Sequence, residues 1–240
     1  MRVASYNIRK AVGLDWRRDA DRIVDVLREI DADIVILQEA DKRIGARAGV
    51  LPADTLREAL GLRAVDLSVR EASHGWHGNL ILYRDHSLVL TDAARIELPS
   101  LEPRGAVSAR FGDPGLEVIG VHLALARRVR ARQLAALGER IAGADHPVLI
   151  AGDFNAWRED AAIPRLLGPG CRMILPGNSF HAARPSAPLD RFVLRGELEH
   201  LAARVHASDL AARASDHLPV VLDLDWPDAL KTPKPKEAKQ

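Results

Sequence analysis

The spacing of apolar positions changes several times along the chain. Ala20, Ile23, Val24, Leu27 and Ile30 recur at helical intervals, which predicts a helix over 17–30 with one buried face and Asp15 as its N-cap. Residues 2–8 read as a strand. Ile34-Val35-Ile36-Leu37 is a continuous apolar run, so 33–39 reads as a strand covered on both faces. The middle of the chain is strand-rich, with short apolar stretches at 64–69, 80–84, 87–90, 106–111 and 116–122 separated by turn residues. A helix over 127–142, a strand over 147–154, a short helix over 160–167 and strands near 189–195 and 219–225 complete the pattern. Residues 168–188, rich in Pro and Gly, read as one long loop, a feature that compact domains often keep for function. Few helices among many strands suggest two packed sheets with helices outside them.

Composition narrows the class. The chain has 240 residues, 47% hydrophobic and 28% charged, which excludes bulk disorder and a disulfide-held scaffold. The one cysteine, Cys171, has no partner in the chain, so a reducing compartment and a cytoplasmic location are expected. No transmembrane segment is expected, because no apolar run approaches about 18 residues, and the first residues lack the apolar core of a signal peptide. Four of the six lysines fall in the last ten residues. The expected division is therefore a folded body over 1–226 and a disordered Lys/Pro-rich tail over 227–240. Such a near-neutral body does not fit a protein that grips long duplex DNA by bulk charge. Nothing points to an obligate protein partner. The absence of a glycine-rich phosphate loop excludes nucleotide-cofactor chemistry.

Polar residues gather where the predicted strands end. Asn7 and Glu39 close the first two strands, and His122 closes the strand before the long helix. Asp153 and Asn155 follow an apolar strand, Asp190 opens a late one, and Asp216-His217 precede the last. If these ends converge, Glu39 with Asp216 or Asp153 supplies hard oxygen donors and Asn7 adds a neutral one. That set suits Mg²⁺, with Mn²⁺ as substitute, better than zinc. Asp153 and Asn155, two apart in an extended segment, point the same way and could hold one water. His122 and His217 could serve a phosphoryl group or its leaving oxygen, and Asp190 could fix an imidazole tautomer. Together these groups describe metal-assisted attack of water on a phosphoester. Each residue alone also has a plain structural reading: Asp153 and Asn155, for instance, as a turn, Arg104 as a salt-bridge partner, and Trp157 as packing. Arg104, Arg9, His77 and Trp157 are candidates for substrate contact.

SYNIR, LQEAD, GNLILYR, EPRGA, VHL, AGDFNAW, PLDRFVL and SDHLPVV stand in this order from Ser5 to Val221. In this succession the chain resembles the endonuclease/exonuclease/phosphatase superfamily. The resemblance implies a four-layered αββα sandwich, two packed mixed sheets flanked by helices, with one site at the sheet edges. It implies metal binding by Asn7 and Glu39, with Asp216 as a second carboxylate on the metal side. Asp153 and Asn155 would position or activate the water, His217 would contact the scissile phosphate with Asp190 as its partner, and His122 would stabilise the transition state or assist the leaving group. One departure is the stretch from Ser73 to Asn79, where His77 falls at a place several nuclease members give to an acidic residue or a tyrosine. The expected activity is a phosphodiesterase. Nucleic acid is one candidate substrate class, phospholipid head groups or small esters a second, and a non-catalytic phosphoester-binding module a third reading.

Overall fold

The computed structural model describes residues 1–42, 48–68, 72–73, 75–100, 105–113, 115–158 and 161–226. Arg104 and the predicted tail over 227–240 lie outside the described residues. The chain opens with β1 (Arg2–Asn7), a 3₁₀ turn (Arg9–Ala11), α1 (Ala20–Ile30), β2 (Ile34–Gln38), α2 (Ala53–Leu60), β3 (Arg63–Ala64), β4 (Leu80–Tyr83), β5 (Leu90–Glu97) and β6 (Gly105–Gly112). It continues with β7 (Gly115–His122), α3 (Arg127–Ala142), β8 (Val148–Asp153), α4 (Ala162–Leu167), β9 (Cys171–Ile174), β10 (Asp190–Arg195), β11 (Glu199–Val205), α5 (Ala211–Ala214) and β12 (Val220–Asp225). Two six-stranded sheets result, in the orders β11-β12-β1-β2-β4-β3 and β5-β6-β7-β8-β10-β9. Both are mixed: β1 runs parallel to β2 and β7 parallel to β8, while the other pairs are antiparallel.

The two-residue period of the strands divides their side chains among three apolar layers. In β2, Ile34 and Ile36 enter the core between the sheets, whereas Val35 and Leu37 pack with α1, α2 and α5. In β8, Leu149 and Ala151 face the opposite sheet, whereas Val148 and Ile150 pack with α3 and α4. The continuous apolar runs therefore do signify strands covered on both sides. The architecture is helix, sheet, sheet, helix, as expected. Between the sheets the fit is close at Gly120, where an added Cβ would lie 2.7 Å from Ile36 Cγ2.

Several local expectations move. Helix α1 starts at Ala20, with Asp19 as its N-cap accepting from Arg22 N at 3.1 Å. Asp15 instead accepts from Arg17 N and pairs with the Arg22 guanidinium. Among the described residues of the apolar stretch at 64–69 only Ala64 lies in a strand, the two-residue β3, and the strand predicted at 87–90 begins at Leu90 and runs on to Glu97. The long loop over 168–188 contains β9. Helices α2 and α5 and strand β11 carry no expectation from the pattern, being short or largely exposed. No described helix is long and apolar enough to cross a membrane.

Candidate active site

Strand parity explains which side chains meet. Asn7 shares the face of Val3 in β1, Asp153 that of Leu149 and Ala151 in β8, Asp190 that of Phe192 and Leu194 in β10, and His122 that of Leu116 and Val118 in β7. These faces line the core between the sheets. The polar residues stand where that core ends, so the two sheets present them to one another. Register aligns three of them within the second sheet: Asp153 is paired with His122 on one side and with Asp190 on the other.

Asp153 is the centre of the array. It is 1% exposed, and its Oδ2 lies 3.0 Å from Asn7 Nδ2 of the opposite sheet. The same oxygen lies 3.4 Å from His122 Nε2 and 3.8 Å from His217 Nε2. Its Oδ1 accepts from Asn155 N at 2.9 Å. Asn155 sits in the left-handed region at φ +51° and donates its amide to Leu123 O at 2.8 Å, tying the end of β8 to that of β7. Asn155 thus shapes the turn that holds Asp153 and fixes its second oxygen.

His217 Nδ1 lies 2.8 Å from Asp190 Oδ2, which also accepts from Ser179 Oγ at 2.6 Å. Burial opposes a charge on His217, but the carboxylates of Asp190, Asp153 and Asp216 outweigh it and its pKa is pushed up to about 10. The imidazole is therefore a buried cation held between aspartates. The long loop has a part in this: Leu218 N donates to Ser179 O and Ala182 N to Asp216 O, which seats residues 179–182 beside the His217 segment. Phe180 lies against His217 with ring centroids 4.9 Å apart, and Trp157 meets Phe180 edge-on at 5.5 Å.

Glu39 and Asp216 bring the remaining acidity. Glu39 is left-handed at φ +55°, just past β2, and pairs with Lys10 Nζ. The turn after β1 makes this pairing: Ile8 N donates to Gln38 O and Lys10 N to Glu39 O, while Arg9, Lys10 and Ala11 all have positive φ. Arg9 Nε lies 3.5 Å from Asp216 Oδ2. Its guanidinium stacks 4.4 Å over the ring of Trp16. His77 occupies a turn against Glu39, where Ala40 N donates to Gly78 O at 2.9 Å, and its ring lies 4.1 Å from that of Trp76. The expected residues Asn7, Glu39, His122, Asp153, Asn155, Asp190, Asp216, His217 and Arg9 thus share one edge of the sandwich. Trp157 joins them through Phe180, and His77 lies alongside through the backbone beside Glu39. Lys10, Trp16, Ser179, Phe180 and Ser215 are additional. Ser215, whose Oγ donates to Asn7 O at 2.7 Å, was signalled only by standing next to Asp216.

The donor types, carboxylate and amide oxygens, suit a hard cation rather than a soft one. Among the described residues no group of three or more His, Cys, Asp or Glu side chains is arranged to hold a metal ion. Mg²⁺ does not need one, since it keeps several waters and takes one or two carboxylates. Glu39 would supply a carboxylate, with Asn7 Oδ1 and Asp216 as further oxygen donors, and no cysteine is nearby to favour a softer metal.

Four layers with a buried acid–imidazole array between the sheet edges define an αββα sandwich of the phosphoester-hydrolase class. The chain belongs to the Endonuclease/Exonuclease/phosphatase family, which matches residues 4–217. It is 30% identical over 224 residues to the uncharacterized protein YbhP of Escherichia coli (strain K12), covering 81% of this chain and 84% of that one. Among solved structures it resembles TDP2 of D. rerio complexed with single strand DNA product, at TM-score 0.72 and 19% identity over 94% of this chain and 99% of that one. It also resembles the mannosyl-6-phosphatase Bt3783 of Bacteroides thetaiotaomicron, at TM-score 0.72 and 18% identity over 94% and 100% of the two chains.

Proposed function

We propose that the protein is a Mg²⁺- or Mn²⁺-dependent phosphodiesterase, with Glu39 and Asn7 as metal ligands and Asp216 beside them. The observation that carries this reading is the setting of Asp153 Oδ2, one carboxylate oxygen facing an amide and two imidazoles within 3.8 Å. Such an oxygen is placed to accept a proton from water and to aim that water at phosphorus. A bound divalent cation would lower the charge of the phosphoryl group and ease deprotonation of the water.

The chain's own residues do the rest. Asn7 Nδ2 and Asn155 N hold the two oxygens of Asp153, so the base keeps one orientation. His217, held as a cation by Asp190, presents positive charge to the phosphoryl oxygens as charge builds there. Asp190 is a positioning residue, and its bond from Ser179 keeps it from turning away. His122, 3.4 Å from Asp153 Oδ2 on its other side, gives a proton to the leaving oxygen in this reading. In-line geometry would put attacking and leaving oxygens on opposite sides of phosphorus.

Hydrolysis of bis(p-nitrophenyl) phosphate tests the reading without requiring recognition of a particular alcohol. Turnover should depend on Mg²⁺ or Mn²⁺, and Asp153→Ala should lower it by a factor on the order of 100 or more. No turnover with any divalent cation, or an Asp153→Ala variant as active as wild type, would overturn it.

A further inference from the structure

Five large apolar side chains are exposed among the described residues, and three of them stand on loops at one end of the sandwich. Trp16 follows β1 at 78% exposure, Leu125 follows β7 at 61% and Trp157 follows β8 at 58%. Strands β7 and β8 run parallel, and Asn7 at the end of β1 meets Asp153 at the end of β8, so all three loops leave beside the site. A single exposed apolar residue needs no explanation. Here each is followed in the chain by exposed arginine: Trp16 by Arg17 and Arg18, Leu125 and Ala126 by Arg127 and Arg128, and Trp157 by Arg158. Among the described residues none of these five guanidiniums is held in an ion pair; Asp15, the acid on the first loop, pairs with Arg22. Residues 122–138 contain four arginines and no acid. Helix α3 starts at Arg127 with no capping side chain and no acidic residue in its first turn, so Arg127 and Arg128 add to the positive end of its dipole. The surplus is local, since the whole chain carries 34 basic residues against 33 acidic ones.

Exposed indole or leucine beside arginine, repeated on neighbouring loops, suits a phospholipid surface. Indoles settle at the level of the head groups, leucine enters the acyl boundary, and guanidinium matches a lipid phosphate in bidentate fashion. Trp16 keeps Arg9 under one ring face and Trp157 rests edge-on against Phe180, so both indoles are held in place at the surface. A protein partner would call for a contiguous, packed apolar centre. These side chains instead stand on three separate loops around a polar site, and a soft bilayer accepts each one singly. Cations without matching acids select a leaflet rich in anionic lipid. We propose that the loops after β1, β7 and β8 form a docking surface for an anionic phospholipid bilayer, which turns the mouth of the site toward the membrane. This concerns where the protein rests and does not depend on the phosphodiesterase reading.

Co-sedimentation of the full chain with vesicles reads the docking, in EDTA so that no metal-dependent turnover intervenes. The protein should bind vesicles of equal parts phosphatidylglycerol and phosphatidylcholine and leave those of phosphatidylcholine alone. Salt should weaken the binding, because the Debye length falls from about 10 Å at 0.1 M to about 3 Å at 1 M. Arg127→Gln combined with Arg128→Gln should weaken it by roughly 25-fold, about fivefold for each charge, and lysine at both positions should restore most of the loss. Leu125→Gln should weaken it by about tenfold. Tryptophan emission should shift to the blue on the anionic vesicles, and Trp16→Phe combined with Trp157→Phe should remove that shift. All of these side chains are exposed, and thermal melts separate lost docking from lost fold. Affinity kept in full by the folded arginine and leucine variants would overturn the proposal and place the attraction elsewhere, as in the lysines at 231, 234, 236 and 239. Equal binding to both vesicle types would overturn the anionic selection. No binding to either would overturn the bilayer as partner and leave the arginine loops to an acidic protein.

Discussion

At His217 the local electrostatics make a pH-dependent contribution to stability. Burial alone would favour the neutral ring, yet Asp190, Asp153 and Asp216 hold it charged, with a pKa near 10 against an ordinary value of 6.5. A group whose folded pKa is raised stabilises the fold fully below its unfolded pKa and loses that contribution as pH rises through the folded one. In metal-free protein the His217 contribution should therefore be complete below about pH 6.5 and gone above about pH 10. Urea unfolding at pH 6, 8 and 10 should show the decline, and Asp190→Asn should flatten it, because the closest carboxylate is then gone. An equal pH slope in both proteins would refute the assignment. Lys10 makes a second prediction at this scale. Its ammonium pairs with Glu39, the carboxylate assigned to the metal, so a cation binding there competes with one the chain already supplies. An ion pair of this partly exposed kind contributes about 1 kcal/mol. Lys10→Met should thus tighten Mn²⁺ binding by a factor of about 5, read by calorimetry, and Lys10→Arg should not. An unchanged or weaker affinity for Lys10→Met would count against the exchange.

Among the elements, β7 and β8 matter most, because their parallel register sets His122 against Asp153. Gly152 makes that approach possible. It lies at φ +150°, and a Cβ there would fall 1.9 Å from Val121 O. Gly152→Ala must push the two strand ends apart just before Asp153. A displacement near 1 Å at such a place can cost about 100-fold in rate. The variant should lose roughly that much kcat on bis(p-nitrophenyl) phosphate, and near-normal kcat would show that the register tolerates the shift. The strands that carry the site were legible because their apolar runs are long and end in polar residues: Ile34 to Leu37 before Glu39, and Val148 to Ala151 before Asp153. The missed elements lacked such contrast. Strand β11 lies at a sheet edge with none of its residues buried and no regular alternation, and α5 has four residues. Asp15 reads as the cap in sequence, and only the fold sends it to Arg22 and leaves Asp19 to cap α1. Within the site, Asn7, Asp153, Asp190 and His217 could be named because their chemistry and order are informative. Lys10 and Trp16 could not, because their roles come from a turn of left-handed residues that no periodicity marks.

Taken whole, the molecule is two sheets joined by an apolar core whose polar end is the site. Asn7 of the first sheet donates to Asp153 of the second, and His217, just ahead of β12 in the first, pairs with Asp190 of the second. The remaining polar groups belong to one sheet or the other, with Glu39 on the first. Separation of the sheets would part these groups and expose the apolar core together, so the site forms only with the complete sandwich. A ligand that needs donors in this arrangement binds the folded state and not the unfolded chain. Its binding must then raise global stability by RT ln(1 + [L]/Kd), about 2.7 kcal/mol at a hundred times Kd. Addition of Mg²⁺ or Mn²⁺ should move the whole cooperative melt upward with rising concentration. Glu39→Gln should keep the fold, since its amide occupies the same volume, and lose most of that shift. A melt that ignores both cations in wild type would remove the metal from the proposed chemistry. A shift kept in full by Glu39→Gln would move the metal away from Glu39, to Asp216 and its neighbours or to another part of the surface. Because the readout is unfolding rather than turnover, either result stands apart from any measurement of hydrolysis.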